Sequence, residues 1–253
     1  MAKTVHSIIF GQRFFLLKAF HHPSLREAGC DEAGRGCYAG PVFAAAVVLP
    51  IDFYHPLLND SKQVPPEIRI ELRAFIEVHA VDYAVAQVSN DEIDRINILR
   101  ASFKAMHLAL KKLRNPPEFL LIDGQIFTKY KRIPHLCVIR GDGIYASIAA
   151  ASILAKTYRD EYMQRLHKKF PHYNWYDNKG YGTPEHRRGL HQPSAVRAPR
   201  LSAPVGRSFI RRYSALPGDV HLCRVVCLAA LPGTAHDPTS AGSSPSIHLR
   251  GSW

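Results

Sequence analysis

The feature that most limits how this chain can fold is a carboxylate set, three times over, where an apolar run stops and glycine stands close by. Ala28–Asp31 leads into Asp31-Glu32-Ala33-Gly34-Arg35-Gly36, Phe119–Ile122 ends in Asp123-Gly124, and Leu136–Arg140 ends in Gly141-Asp142-Gly143. Short apolar runs closed by turn residues read as buried strands. Acids held at the ends of such strands are costly to keep charged unless a cation neutralises them. In an open α/β sheet, side chains from several strands converge at the strand termini, and ligands collect there. Each glycine-flanked aspartate taken singly reads equally well as a turn. Their joint occurrence after apolar strands points to one acidic site, and hard oxygen donors of this kind select Mg²⁺ or Mn²⁺ over zinc.

The segments between these acids alternate strand and helix patterns, as a mixed α/β sheet in one domain requires. Val42–Leu49 and Val81–Ser89 read as further strands, the latter with Val81, Tyr83, Val85 and Gln87 on one face. Proline at a favourable first-turn position opens a helix over Pro65–His79. Over Ile96–Leu113, apolar Ile96, Leu99, Phe103, Met106, Leu110 and Leu113 recur at three- and four-residue steps, opposite Arg100, Lys104, Lys111 and Arg114. A long helix is expected from Ile144 to about Lys169, with a small, alanine-rich first half suited to close packing on the sheet.

A net charge of +12 on 253 residues favours a polyanionic partner such as nucleic acid. The five cysteines are odd in number and scattered without zinc spacing, which fits free thiols in a reducing compartment. No apolar run reaches the roughly 18 residues of a membrane-spanning helix, so a cytoplasmic location is expected. Composition changes near residue 190: from Leu190 to Trp253 there are seven Arg and two Asp but no Lys and no Glu, in a Pro-, Ser-, Ala- and Gly-rich background. That stretch is expected to be poorly ordered, and a frameshifted gene end would leave such a signature.

Six motifs, in order, cover about Phe14 to Leu190: Cys30-Asp31-Glu32-Ala33-Gly34-Arg35-Gly36, Asn59-Asp60-Ser61-Lys62, Leu121-Ile122-Asp123-Gly124, Arg140-Gly141-Asp142, Ala150-Ala151-Ser152-Ile153-Leu154-Ala155-Lys156 and Lys179-Gly180-Tyr181. Together they resemble the motifs of bacterial ribonuclease HII. The resemblance implies a ribonuclease H-like α/β fold, a mixed five-stranded sheet flanked by helices. It implies endonucleolytic cleavage of RNA in RNA–DNA hybrids, and incision 5′ to single ribonucleotides in duplex DNA with 3′-hydroxyl and 5′-phosphate ends. Ribonucleotide and RNA-primer removal during DNA replication and repair would be its role.

By the same resemblance Asp31, Glu32, Asp123 and Asp142 are the metal-binding catalytic carboxylates, working with two Mg²⁺ or Mn²⁺ ions. Gly34, Arg35 and Gly36 resemble a ribose sensor that reads the 2′-hydroxyl, the group that separates RNA from DNA. Tyr181, after Lys179-Gly180, matches the residue that stacks on the sugar beyond the ribonucleotide. Lys62, Lys156 and Lys179, with Asn59, Ser61 and Ser152, are the remaining substrate contacts. Alternate strand residues point to opposite faces, so either the strand ends at Asp31 or Glu32 contributes partly through its carbonyl.

The expected organisation is thus an extension at 1–13, a catalytic domain at 14–190 and an atypical tail at 191–253, acting as a monomer. Arg200-Leu201-Ser202 and Arg207-Ser208-Phe209 only partly match the Arg-x-Ser-Phe signature that closes the family pattern, so the helices expected to close the substrate groove lack a clear counterpart. Two alternatives remain: a metal-dependent DNA nuclease or recombinase of the same fold, and an inactive nucleic-acid-binding module.

Overall fold

In the computed structural model, residues 8–9, 12–13 and 17–190 are described. Five strands form one mixed sheet: β1 (Glu27–Ala33), β2 (Val42–Val48), β3 (Asp82–Val88), β4 (Phe119–Asp123) and β5 (His135–Val138). Their order is β3-β2-β1-β4-β5, with β1, β2 and β3 antiparallel and β4 and β5 parallel to β1. The five-stranded mixed sheet implied by the motifs is therefore present, and its central strand is the one that carries Asp31 and Glu32. Alanine and valine fill β2 because both of its faces are covered, leaving no polar side to the pattern.

Helices cover the two faces separately. On one side α3 (Ile98–Lys112) packs on β2 and β3, its Ala101, Ala105, Met106, Ala109 and Leu110 against Ala28, Cys30, Ala44 and Ala46. On the other side lie α1 (Pro66–His79) and α4 (Ala146–Lys169), with Leu72, Ile76, Ala149, Ile153 and Leu154 against Ala45 and Val47. The small first half of α4 allows the close approach expected of it. A Cβ built on Gly29 would stand 2.2 Å from the Ser147 carbonyl carbon, so only glycine on β1 lets this helix lie so near.

Two local expectations are corrected. The amphipathic helix expected over 96–113 starts two residues later, as α3, because Asn97 adopts φ 69° after α2 (Asn90–Ile96) and accepts a hydrogen bond from the Arg100 amide as the cap of α3. Small residues then decide which face is buried, so Leu99 is 38% exposed while Ala101, Ala105 and Ala109 are fully covered. The strand through the acid pair does not stop at Asp31 but runs on to Ala33.

Beyond α4 come two short helices, α5 (Trp175–Asn178) and α6 (Pro184–Leu190), around a small aromatic cluster of Tyr173, Trp175 and Met163. Among the described residues no helix is long and apolar enough to cross a membrane. Of the extension expected at 1–13, a two-residue ladder pairing Ile8–Ile9 with Gln12–Arg13 is described. The tail expected at 191–253, with its partial Arg-x-Ser-Phe matches, lies outside the described residues.

Candidate active site

The central strand and the ends of β4 and β5 bring the acids together. Asp31 pairs across the sheet with Ala45, which faces α1 and α4, whereas Glu32 pairs with Ala44, which faces α3. Pleat parity thus separates the two side chains as anticipated. The strand end brings the Glu32 carboxylate back: it meets Arg35 Nη1 at 3.0 Å and feels the charges of Asp123 and Lys62. On the other face Asp31 is buried near Ser152, whose Oγ donates to Ser61 Oγ at 2.9 Å, and its own Oδ1 accepts the Glu32 amide at 2.6 Å.

Asp123 ends β4, and its Oδ1 accepts the Gly141 amide at 2.7 Å, tying the β4 end to the turn that carries Asp142. That turn needs Arg140 in the left-handed region, φ 54°, before the single 3₁₀ turn Gly141–Gly143. A side chain at Gly141 would collide with Ile148, so the turn sits directly on the start of α4. Lys62 lies over the group, its Nζ 3.7 Å from Asp142 Oδ2 and 3.8 Å from Asp60 Oδ1.

Electrostatics record how crowded this charge is. Burial, then repulsion from Glu32 and Asp123, push the Asp31 carboxyl well above the usual carboxylate range. Burial also raises Glu32, against the pull of Arg35, and raises Asp123, against the Gly141 amide and Lys62. Asp142 is pushed up to about 6 by burial and by Asp123 and Asp60. Among the described residues no three His, Cys, Asp or Glu side chains are drawn in to the spacing of a closed metal site. The donor set still fits a hard divalent ion: four carboxylates that repel one another, with only an exposed ammonium and one guanidinium against them.

Beside the acids stands a second group. The turn after β1, with Gly34 at φ 103°, carries Arg35 and Gly36, and a Cβ on Gly36 would stand 3.8 Å from Tyr181 Cε1. Tyr181 is 45% exposed, and its hydroxyl is hydrogen-bonded to Cys37. Its loop is fastened through Gly180, whose carbonyl accepts the Tyr38 and Ala39 amides at 2.8 and 3.2 Å. His186, fully buried, lies behind it: one ring nitrogen is 2.8 Å from the Tyr181 carbonyl and the other accepts Trp175 Nε1.

A family model described as Ribonuclease HII matches residues 28–211. The chain belongs to the ribonuclease HII family. Ribonuclease HII of Bacteroides fragilis is 60% identical over 175 residues, 69% of this chain and 87% of that protein. The Bacteroides thetaiotaomicron ribonuclease HII is 59% identical over 175 residues, 69% of this chain and 88% of that protein. Among solved structures, the ribonuclease H2 of Pyrococcus horikoshii OT3 superposes with TM-score 0.61 at 26% identity, covering 75% of this chain and 99% of that one. This ribonuclease HII is accordingly a type 2 ribonuclease H, a hydrolase acting on RNA–DNA hybrids, with the ribonuclease H-like fold. The matched span continues past residue 190, where the domain boundary was placed.

Within this ribonuclease HII the remaining expected contacts divide. Lys62 is exposed at the acids, and Asn59 supports the same loop by accepting the Asp60 amide at 2.8 Å. Ser61 and Ser152 are buried, their hydroxyl oxygens 2.9 Å apart, and neither is exposed at the acids as Lys62 is. Lys156 is committed to Asp160 at 2.6 Å, and Lys179 donates to the Tyr176 carbonyl. Two residues were missed. Asp60, in the Asn59–Lys62 motif, is a fifth carboxylate beside Asp142, with Lys62 Nζ between the two; burial alone would raise it, and the Lys62 amide and charge outweigh that and lower it. Arg159 had no signal, being one cation on a charged helical stretch.

Proposed function

We propose that this ribonuclease HII cuts the RNA strand of hybrids and incises 5′ to single ribonucleotides in duplex DNA, leaving 3′-hydroxyl and 5′-phosphate ends. The supporting observation is the contiguity of two groups: the acid cluster adjoins the Gly34–Gly36 turn through the Glu32–Arg35 ion pair, and that turn adjoins Tyr181. A phosphate bound at the acids therefore has its sugar beside a backbone turn with no side chain at Gly36 to obstruct it.

Asp31, Glu32, Asp123 and Asp142 would hold Mg²⁺ or Mn²⁺, two ions with substrate present. Such ions supply water activation and neutralise charge developing on the leaving oxygen. The Glu32 and Gly141 amides fix the orientation of Asp31 and Asp123. The Lys62 ammonium, beside Asp142 and largely exposed, meets the incoming phosphodiester. The backbone of Gly34–Gly36 and Arg35 read the 2′-hydroxyl, and the exposed Tyr181 ring stacks on the following sugar. We infer a cytoplasmic monomer that removes ribonucleotides and RNA primers from DNA.

The test is a DNA duplex with one embedded ribonucleotide, incubated with Mg²⁺ or Mn²⁺ beside an all-DNA duplex. Incision 5′ to the ribonucleotide and none on all-DNA is expected. Cleavage of all-DNA would replace this reading by a DNA nuclease, and binding without cleavage by a binding module.

A further inference from the structure

Arg159 on α4 is the largest fully buried side chain among the described residues, 1% exposed. Its guanidinium spreads over backbone carbonyls from two distant segments. Nε donates to Pro41 at 3.1 Å and Nη2 to Ala39 at 3.0 Å, both in the β1–β2 connection, while Nη1 donates to Lys179 at 2.8 Å. The same side chain lies against Gly34: a Cβ there would stand 2.2 Å from Arg159 Nε. One cation thus touches the first glycine of the ribose turn, the end of that connection and the residue two before Tyr181.

Burying a guanidinium is expensive unless its donors are satisfied, and here a planar fork is required to reach three carbonyls in different directions. The same helix places Ser152 behind Asp31 two turns earlier, so α4 is a common mount for the acids and both reading loops. We propose that Arg159 is a positioning residue that locks the Gly34–Gly36 turn and the Lys179–Tyr181 loop into one unit that reads the step from ribose to deoxyribose. This rests on the function proposed above. A duplex with one ribonucleotide presents that step immediately 3′ of the ribonucleotide whose 5′ bond is cut, whereas a continuous hybrid does not, so the lock matters more for the first.

The test compares the full chain with Arg159→Lys, which keeps the charge and loses the fork. Arg159→Gln, without the hazard of a mispaired buried charge, carries the test should the lysine variant fail to fold. The variant is expected to lower kcat/KM on the single-ribonucleotide duplex about tenfold more than on a continuous hybrid. The rise in melting temperature on adding Mn²⁺ should stay as in the unsubstituted chain. Equal losses on both substrates, or no loss on either, overturn the proposal, because a purely structural role would not change the ratio. Failure of the unsubstituted chain to cut either substrate counts instead against the proposed function. The comparison then passes to binding in Ca²⁺, where Arg159→Lys should lose about tenfold of any preference for the ribonucleotide duplex over all-DNA; an unchanged preference, or none to lose, overturns the inference.

Discussion

Asp31 and Glu32 leave opposite faces of one strand and still act on the same neighbours, which only a strand end allows. Asp123→Asn keeps the side-chain shape and the acceptor for Gly141 while removing a charge from the cluster. Turnover is expected to fall by more than about a hundredfold, since even outer partners of metal ligands cost 10–100-fold, while hybrid binding changes little. Undiminished activity in a cleavage assay would remove Asp123 from the site. Asp60→Asn belongs with those outer partners: an activity loss of about 10–100-fold is expected, checked by steady-state kinetics on the same substrate. The four acids were legible because each lies at the end of an apolar run with a glycine close by. Asp60 was not, because it lies in an irregular loop whose approach to Asp142 no periodicity announces. Ser61 and Ser152 read as substrate contacts from their motifs, but their burial is a property of packing that the motifs do not announce.

α4 shows why the fold was more legible than its joints. Its alanine-rich start advertises close packing, and the matching feature on β1 is Gly29, against which the helix backbone rests. Gly29→Ala is expected to destabilise the chain by about 1–3 kcal/mol through overpacking against helix backbone that cannot rotate away. Thermal or denaturant unfolding measures this, and an unchanged midpoint would refute the tight contact. Strand positions followed from apolar runs to within a few residues, β4 over its whole length. The break at Asn97 was missed because the apolar spacing continues across it; only the left-handed backbone ends α2. Helix α3 then rotates toward its alanines, since small side chains let it approach the sheet and longer ones such as Leu99 can lie at the margin.

Across the domain, the acid cluster sets a linkage between protons, ions and stability. Carboxyls raised in the folded chain contribute stability below their unfolded values near pH 4, and this is lost as pH rises through the folded values, about 6 for Asp142. The cluster's share of stability in the ion-free chain is therefore expected to improve as pH falls from about 7.5 to about 5, and to improve less in Asp142→Asn. Divalent ions act in the opposite sense, raising the melting temperature most at the higher pH, where the ligands are ionised. Melting curves in chelator and in Mn²⁺ at the two pH values check both signs.

The strand order has a consequence for synthesis. Gly29 on β1 faces Val47 on one side and Leu121 on the other. The first pairing closes a short loop, and the second waits for most of the domain to be made, at a larger entropic cost. A nascent chain ending before Phe119 can build β1, β2 and β3 and already carries the acid pair. It also presents the central strand as an open edge, apolar and unpaired, which is where chains recruit one another. In this domain Asp123, the first distant partner of the acid pair, and the protection of that edge arrive together, when β4 docks.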